Sequence, residues 1–205
     1  EMVDNRIIEL QGKQILIKDT VINWEGLQKS SITGDFQIFF DFKSKYLDEK
    51  RNIYVWLPQG YKNDKNSKYP MILCQDGQNL FDASTSFLGV EWEMDESATK
   101  LISRYEIDPI IIVGVANTDN RVYEYTPFGK TEGGGGVENY GRFIVEELMP
   151  FLIKRFNIDT RSGRTCTLGA SIGALASLYL YTKYPIIFNM SAIISPATFF
   201  CKEQI

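Results

Sequence analysis

TCTLGASIGALASLYLYTKY, residues 165–184, passes from one kind of pattern to another with no linker between them. Thr165 to Leu168 is a short β-prone run. Ile172 to Tyr184 is apolar almost all round, the mark of a buried helix. The junction, Gly169-Ala170-Ser171-Ile172-Gly173, fits G-x-S-x-G. A chain turning directly from strand to helix there must place Ser171 in a strained backbone conformation, and small residues two positions on either side keep the flanking backbone from clashing. Ser171 Oγ then projects above the carboxyl end of the sheet, and the first free amide of the helix, on Ile172, points into the same space, where it can stabilise an oxyanion. A glycine-rich helix start with Ser171 as a simple N-cap is the other reading of the same five residues.

Working outward, Pro70–Gln75, Pro109–Ala116 and Ser191–Ser195 are short, nearly continuous apolar runs like the one before the junction. Strands buried on both faces have this character, as in parallel sheets. Helical periodicity falls between them, over Trp92–Tyr105 and Val137–Phe156. Phe36–Ser44 and Asn52–Gln59 are aromatic and β-branched, with partial alternation, and read as an antiparallel pair at a sheet edge. The expected fold is a doubly wound α/β domain with a mostly parallel sheet over residues 36–205, preceded by an extension or edge segment over residues 1–35.

Composition bounds the chemistry. The 205 residues are 44% hydrophobic and 23% charged, an ordinary globular balance, with a net charge of -4. There is no basic footprint for nucleic acid, and no apolar run approaches the roughly 20 residues that cross a membrane as a helix. Histidine is absent, which removes the common zinc sets and any Ser-His or Cys-His pair built from these residues alone. The three cysteines are widely spaced; Cys74 and Cys166 lie in apolar runs and read as buried thiols, and the odd count argues against a disulfide framework. EMVDNR at the start shows no secretory signal, so a cytoplasmic location is expected.

Cys74-Gln75-Asp76-Gly77-Gln78-Asn79 follows an earlier buried strand, and Gly77 or Gln78 could offer a second oxyanion amide; a plain Asp-Gly turn is the alternative. Gly133–Gly136 is expected as a mobile loop, or as part of a cleft rim. Arg121 and Glu124 are expected to form an ion pair that stabilises their loop, or else to line a pocket. Glu91–Glu96 reads as acidic helix-start charge and not as a metal site. Ser97–Lys100 fits S-x-x-K but sits mid-helix without companion motifs.

RNIYVWLPQGY (51–61), YPMILCQDGQNLFD (69–82), IIVGVANTDNRVYEYTP (111–127), YGRFIVEELMPFL (140–152) and LGASIGALASLY (168–179) together resemble, in order, the esterase D-like family of the α/β-hydrolase fold. That family includes S-formylglutathione hydrolases, feruloyl and acetyl-xylan esterases, siderophore-ester hydrolases and mycolyltransferases. The resemblance spans roughly residues 36–197. It implies that Ser171 is the nucleophile, that Ile172 and the Gly77/Gln78 turn form the oxyanion hole, that Gly169 and Gly173 shape the elbow, that the substrate is a small-molecule ester, and that no cofactor is needed. Ala174 departs from the second glycine many members carry. In such enzymes the acid and then the histidine follow the serine in the chain. The expected sheet is therefore C-terminally incomplete, corresponding to the first two-thirds or so of the fold, and the chain is expected to be inactive or very weak. A binding or scaffold domain derived from an esterase is the alternative, and a partner chain supplying the histidine is a third. The Ser191–Ser195 strand is expected to leave an open sheet edge through which the protein forms a homo-oligomer.

Overall fold

A computed structural model describes residues 30–63, 66–127 and 134–201. Most of the N-terminal extension, and Glu132 and Gly133 of the glycine run, lie outside the described residues. Six strands form one sheet: β1 (Asp35–Phe42), β2 (Arg51–Leu57), β3 (Met71–Gln75), β4 (Ile111–Val115), β5 (Thr165–Ala170) and β6 (Met190–Ile194), in the order β1-β2-β4-β3-β5-β6. β1 pairs antiparallel with β2, and β2 antiparallel with β4. β4, β3, β5 and β6 run parallel. The aromatic pair is thus at one edge, as its alternation predicts, and β6 is at the other edge of the described sheet.

Each central strand is apolar in both directions because both faces of the sheet are covered. Ile53, Val55, Met71, Leu73, Ile111 and Val113 face a large core that also holds Tyr140, Phe143, Ile144 and Leu180. Tyr54, Trp56, Cys74 and Ile112 face a smaller core with Leu80, Phe81 and Ala98. At about 25 cal/mol per Å² of apolar surface removed from water, burial of this kind is the main driving term of the fold.

The helices are α1 (Met94–Ser103), α2 (Arg121–Tyr125), α3 (Val137–Arg142), α4 (Met149–Arg155) and α5 (Ile172–Lys183). The helical stripe read over Val137–Phe156 is continuous, but Phe143–Leu148 between α3 and α4 widens into a π-helical segment. Pro150 supplies a physical reason. It has no N–H to donate, and its ring crowds the carbonyl four residues back. Met149 N accordingly donates to Ile144 O, five residues away.

α1 starts at Met94, so Trp92 precedes the helix. α5 is not buried all round: Leu178 and Tyr181 are exposed on its outer side. Of the two thiols, Cys74 is buried and Cys166 only half-buried; both are free, and burial pushes both above the ordinary thiol pKa. None of the described helices is long and apolar enough to cross a membrane.

Candidate functional site

The carboxyl ends of β3, β4 and β5 meet at one end of the sheet, where ligands bind in open α/β folds. β5 ends at Ala170, and α5 begins at Ile172. Ser171 alone makes the turn, with φ 55° and ψ -120°. A β-carbon-bearing residue rarely adopts such a conformation, which must be held by its surroundings. Ser171 N donates to Ile194 O of β6 at 3.1 Å, and Ser171 O accepts from Ala174 N at 3.2 Å and Ala197 N at 3.1 Å. The backbone is clamped while the side chain remains exposed. Ser171 is therefore neither in mid-helix nor buried.

The flanking glycines are required by space. A β-carbon on Gly169 would lie 2.2 Å from the Gly173 carbonyl oxygen, backbone against backbone. One on Gly173 would lie 2.9 Å from Asp76 Oδ2 and 3.1 Å from Gln75 Cβ. Ala174 is fully buried at the start of α5, so its methyl group is accommodated.

The turn after β3 stands against this elbow. Asp76 is left-handed (φ 57°, ψ 46°) and precedes a short 3₁₀ turn over Gly77–Asn79. Gly77 packs on the backbone of β4, where a β-carbon would sit 2.4 Å from the Gly114 carbonyl carbon. Arg121 grips the Asp76 carboxylate with two bonds, Nε to Oδ1 at 2.6 Å and a terminal guanidinium nitrogen to Oδ2 at 2.7 Å. Asn117 Nδ2 adds a third at 2.6 Å, and Asn117 N donates to Gln78 Oε1 at 3.2 Å. Burial works against the Arg121 charge, but the Asp76 hydrogen bonds outweigh it and hold its pKa above the ordinary value.

Beneath the turn runs a buried polar chain. Tyr140 Oη donates to Gln75 Oε1, Gln75 Nε2 reaches Thr167 Oγ1 at 3.4 Å, and Thr167 Oγ1 donates to Ser177 Oγ at 3.2 Å. Asp76 N donates to Tyr125 Oη at 3.4 Å. Burial pushes both tyrosines above the usual phenol range, so they stay neutral. Glu124 is buried against Arg51 in a paired, two-bond contact of 2.7 and 2.9 Å.

The expected Arg121–Glu124 ion pair is therefore not formed: each residue pairs with a more distant partner instead, because the turn of α2 aims Arg121 at the β3 end and Glu124 into the core. Ser171, Ile172, Gly169, Gly173, Gly77, Gln78 and Arg121 gather at one end of the sheet. Asn117, Gln75, Tyr125 and Tyr140 belong to the same assembly and were not singled out by sequence. Asn117 carried a usable signal, since it lies just beyond a strand whose carboxyl end faces the site. Two clefts of about 470 Å³ each, lined around Asp35, Phe39, Tyr61 and Arg155 and around Thr33, Trp56, Pro58 and Thr99, contain none of these site residues.

Comparison with known proteins agrees with this fold. A family profile described as "Putative esterase" matches residues 44–202. The uncharacterized protein YjcH of Bacillus subtilis (strain 168) is 34% identical over 158 residues, which cover 76% of this chain and 59% of that protein. The chain thus spans about 59% of the length of the curated relatives it matches. Among solved structures, the BES protein from Bacillus cereus is 25% identical with a TM-score of 0.68, covering 89% of this chain and 69% of that one. An IroE-like serine hydrolase from Shewanella oneidensis is also 25% identical, with a TM-score of 0.65 and coverage of 82% and 52%.

Proposed function

The chain belongs to the esterase family whose profile it matches over residues 44–202, and from that premise we propose that it is the nucleophile-bearing part of a serine carboxylic-ester hydrolase. Ser171 Oγ attacks the carbonyl carbon of a small-molecule ester. The amide of Ile172, which as the first residue of α5 has no acceptor within the helix, and those of Gly77 and Gln78 receive the negative oxygen of the tetrahedral intermediate. Collapse expels the alcohol, and water releases the acid from the acyl-serine. The observation that carries this reading is the strained, clamped and exposed Ser171 directly beside the Asp76–Gln78 turn. Arg121 positions that turn through Asp76 and stands at its rim; Glu124 acts at one remove, by fixing Arg51 beneath it.

A serine hydroxyl is a weak nucleophile without a base. These 205 residues hold no histidine, so ester turnover by this stretch alone is proposed to be very slow, with only the ~10³–10⁴-fold advantage over water that oxyanion stabilisation and binding leave when a triad is broken. The same fact favours a second reading, a non-catalytic ligand-binding domain that kept the elbow. A fluorophosphonate probe separates them. Labelling that Ser171→Ala abolishes supports the nucleophile, whereas no labelling of the folded protein supports the binding role. Turnover of a short-chain aryl ester at an ordinary enzymatic rate would overturn the proposed weakness.

Association of two copies through the β6 edge belongs to the same proposal. Met190 and Ile194 on β6 are each 42% exposed, an apolar edge of the kind that recruits another strand. A monomer by light scattering across micromolar concentrations would refute it.

A further inference from the structure

From the loop ahead of α1 and its first turn, the geometry points to a second site: Glu91, Asp95 and Glu96 bind a hard divalent cation of the calcium class. One carboxylate oxygen from each of the three lies within 4.8 Å of the others. Oxygens bound to one calcium ion at about 2.4 Å can be at most about 4.8 Å apart, and the three meet that condition. An acidic cluster at a helix start is ordinarily solvated charge that complements the helix dipole. This one differs, because Asp95 is buried and each of the three carries a buried oxygen without a partner.

Asp95 is fully buried, and its Oδ1 has no hydrogen-bond partner. Glu91 Oε2 and Glu96 Oε2 are likewise buried and unpartnered. These are three of the six buried, unpaired side-chain polar atoms among the described residues. Such atoms are rare in native proteins, and each calls for an explanation. The other oxygens show that the site is built. Asp95 Oδ2 accepts from Thr33 N at 2.6 Å and Thr33 Oγ1 at 2.9 Å, and Glu91 Oε1 accepts from Ser31 Oγ. Neighbouring donors thus fix Asp95 and Glu91 by one oxygen and leave the other free.

Among the described residues no lysine or arginine pairs with any of the three. Uncompensated buried charge is costly, and a cation removes the cost. An all-oxygen, all-carboxylate donor set selects a hard ion over zinc or copper.

The ion would tie together pieces distant in sequence. Residues 30–33 lie across the loop that joins the Gly77–Asn79 turn to α1: Ser30 Oγ donates to Asp82 Oδ2 at 2.8 Å, and Trp56 Nε1 donates to Thr33 O at 2.8 Å. Trp92 N donates to Asn79 O at 2.9 Å and Met94 N to Leu80 O at 3.1 Å, so the ligand-bearing segment is stitched to the turn itself. Occupancy would brace that loop from its far end.

The test is thermal unfolding of the full chain, stripped with EDTA, against calcium chloride and, in parallel, magnesium chloride. At calcium about 100 times its dissociation constant, the midpoint should rise by roughly 5–10 °C. The rise should be absent in Glu91→Gln/Glu96→Gln and in Asp95→Asn. Terbium luminescence sensitised by the neighbouring Trp92, displaced by calcium and lost in the same variants, provides a readout that does not depend on how stable the variants are. Several outcomes would overturn the site. These are no saturable calcium response, a response the substitutions leave intact, or a response to magnesium but not calcium.

Discussion

Gly173 lies so close to Asp76 that a methyl group on its α-carbon would stand 2.9 Å from Asp76 Oδ2. The two residues belong to different strand ends, one just after β5 and the other just after β3. Their contact sets the elbow beside the turn, and the neighbouring parallel pairing of Cys74 with Leu168 brings the strands that carry them into register. The glycine therefore serves more than the local bend: its missing side chain is the space that the Asp76 carboxylate occupies.

Substituting the two elbow glycines should have unequal effects. Gly173→Ala presses on a side chain that can shift by a few tenths of an ångström, at a cost of about 1–3 kcal/mol. Gly169→Ala drives a β-carbon to within 2.2 Å of backbone, where nothing can yield without moving α5. Urea unfolding should show Gly169→Ala as the more destabilised variant, and fluorophosphonate labelling of Ser171 should slow in both.

Arg121 and Asp76 form a two-bond pair, with the side chains 26% and 12% exposed. Removal of the guanidinium leaves the carboxylate with Asn117 alone among its charged or amide side-chain partners. Arg121→Ala should cost about 1–3 kcal/mol. Arg121→Lys should recover little of it, because an ammonium cannot match two carboxylate oxygens in one plane. Equal stability of the lysine variant and the parent would contradict this account.

Arg51 and Glu124 are buried more deeply, at 0% and 3% side-chain exposure. Burial opposes the Arg51 charge, but its hydrogen bonds to Glu124 prevail and hold the pKa above its ordinary value. Either single replacement, Arg51→Met or Glu124→Leu, should cost about 3–5 kcal/mol, since it strands the other charge in the core. The double replacement should cost less than the two single costs combined. A double-mutant cycle by chemical denaturation tests this; additive losses would show that the pair is not coupled.

Asp159, held by Arg161 side-chain and backbone hydrogen bonds, has its pKa lowered to about 2. A free aspartate titrates near 3.9. The folded value lies below the unfolded one, so the stabilisation is fully present above about pH 4 and is lost as pH falls through about 2. Asp159→Asn should flatten the stability profile over that acid window. Arg161 is 75% exposed on its side chain, so added salt should weaken the effect. An unchanged acid profile in Asp159→Asn would rule the residue out as a contributor.

The sequence by itself determined the succession of strands and longer helices, the parallel character of the centre and the strained bend at Ser171, but not the short α2, which it reads as loop. These follow from local causes: a period of apolar residues, or a steric demand for glycine within five positions. The partners of the charged and polar groups were decided only by the tertiary structure. Arg121 finds Asp76 across 45 residues, and Glu124 finds Arg51 across 73. No pattern along the chain records those choices, because they depend on which strand ends the sheet order brings together. The same holds for Glu91, Asp95 and Glu96. In sequence they are helix-start charge, and only folding Ser31 and Thr33 against them turns three solvated carboxylates into three buried oxygens without partners.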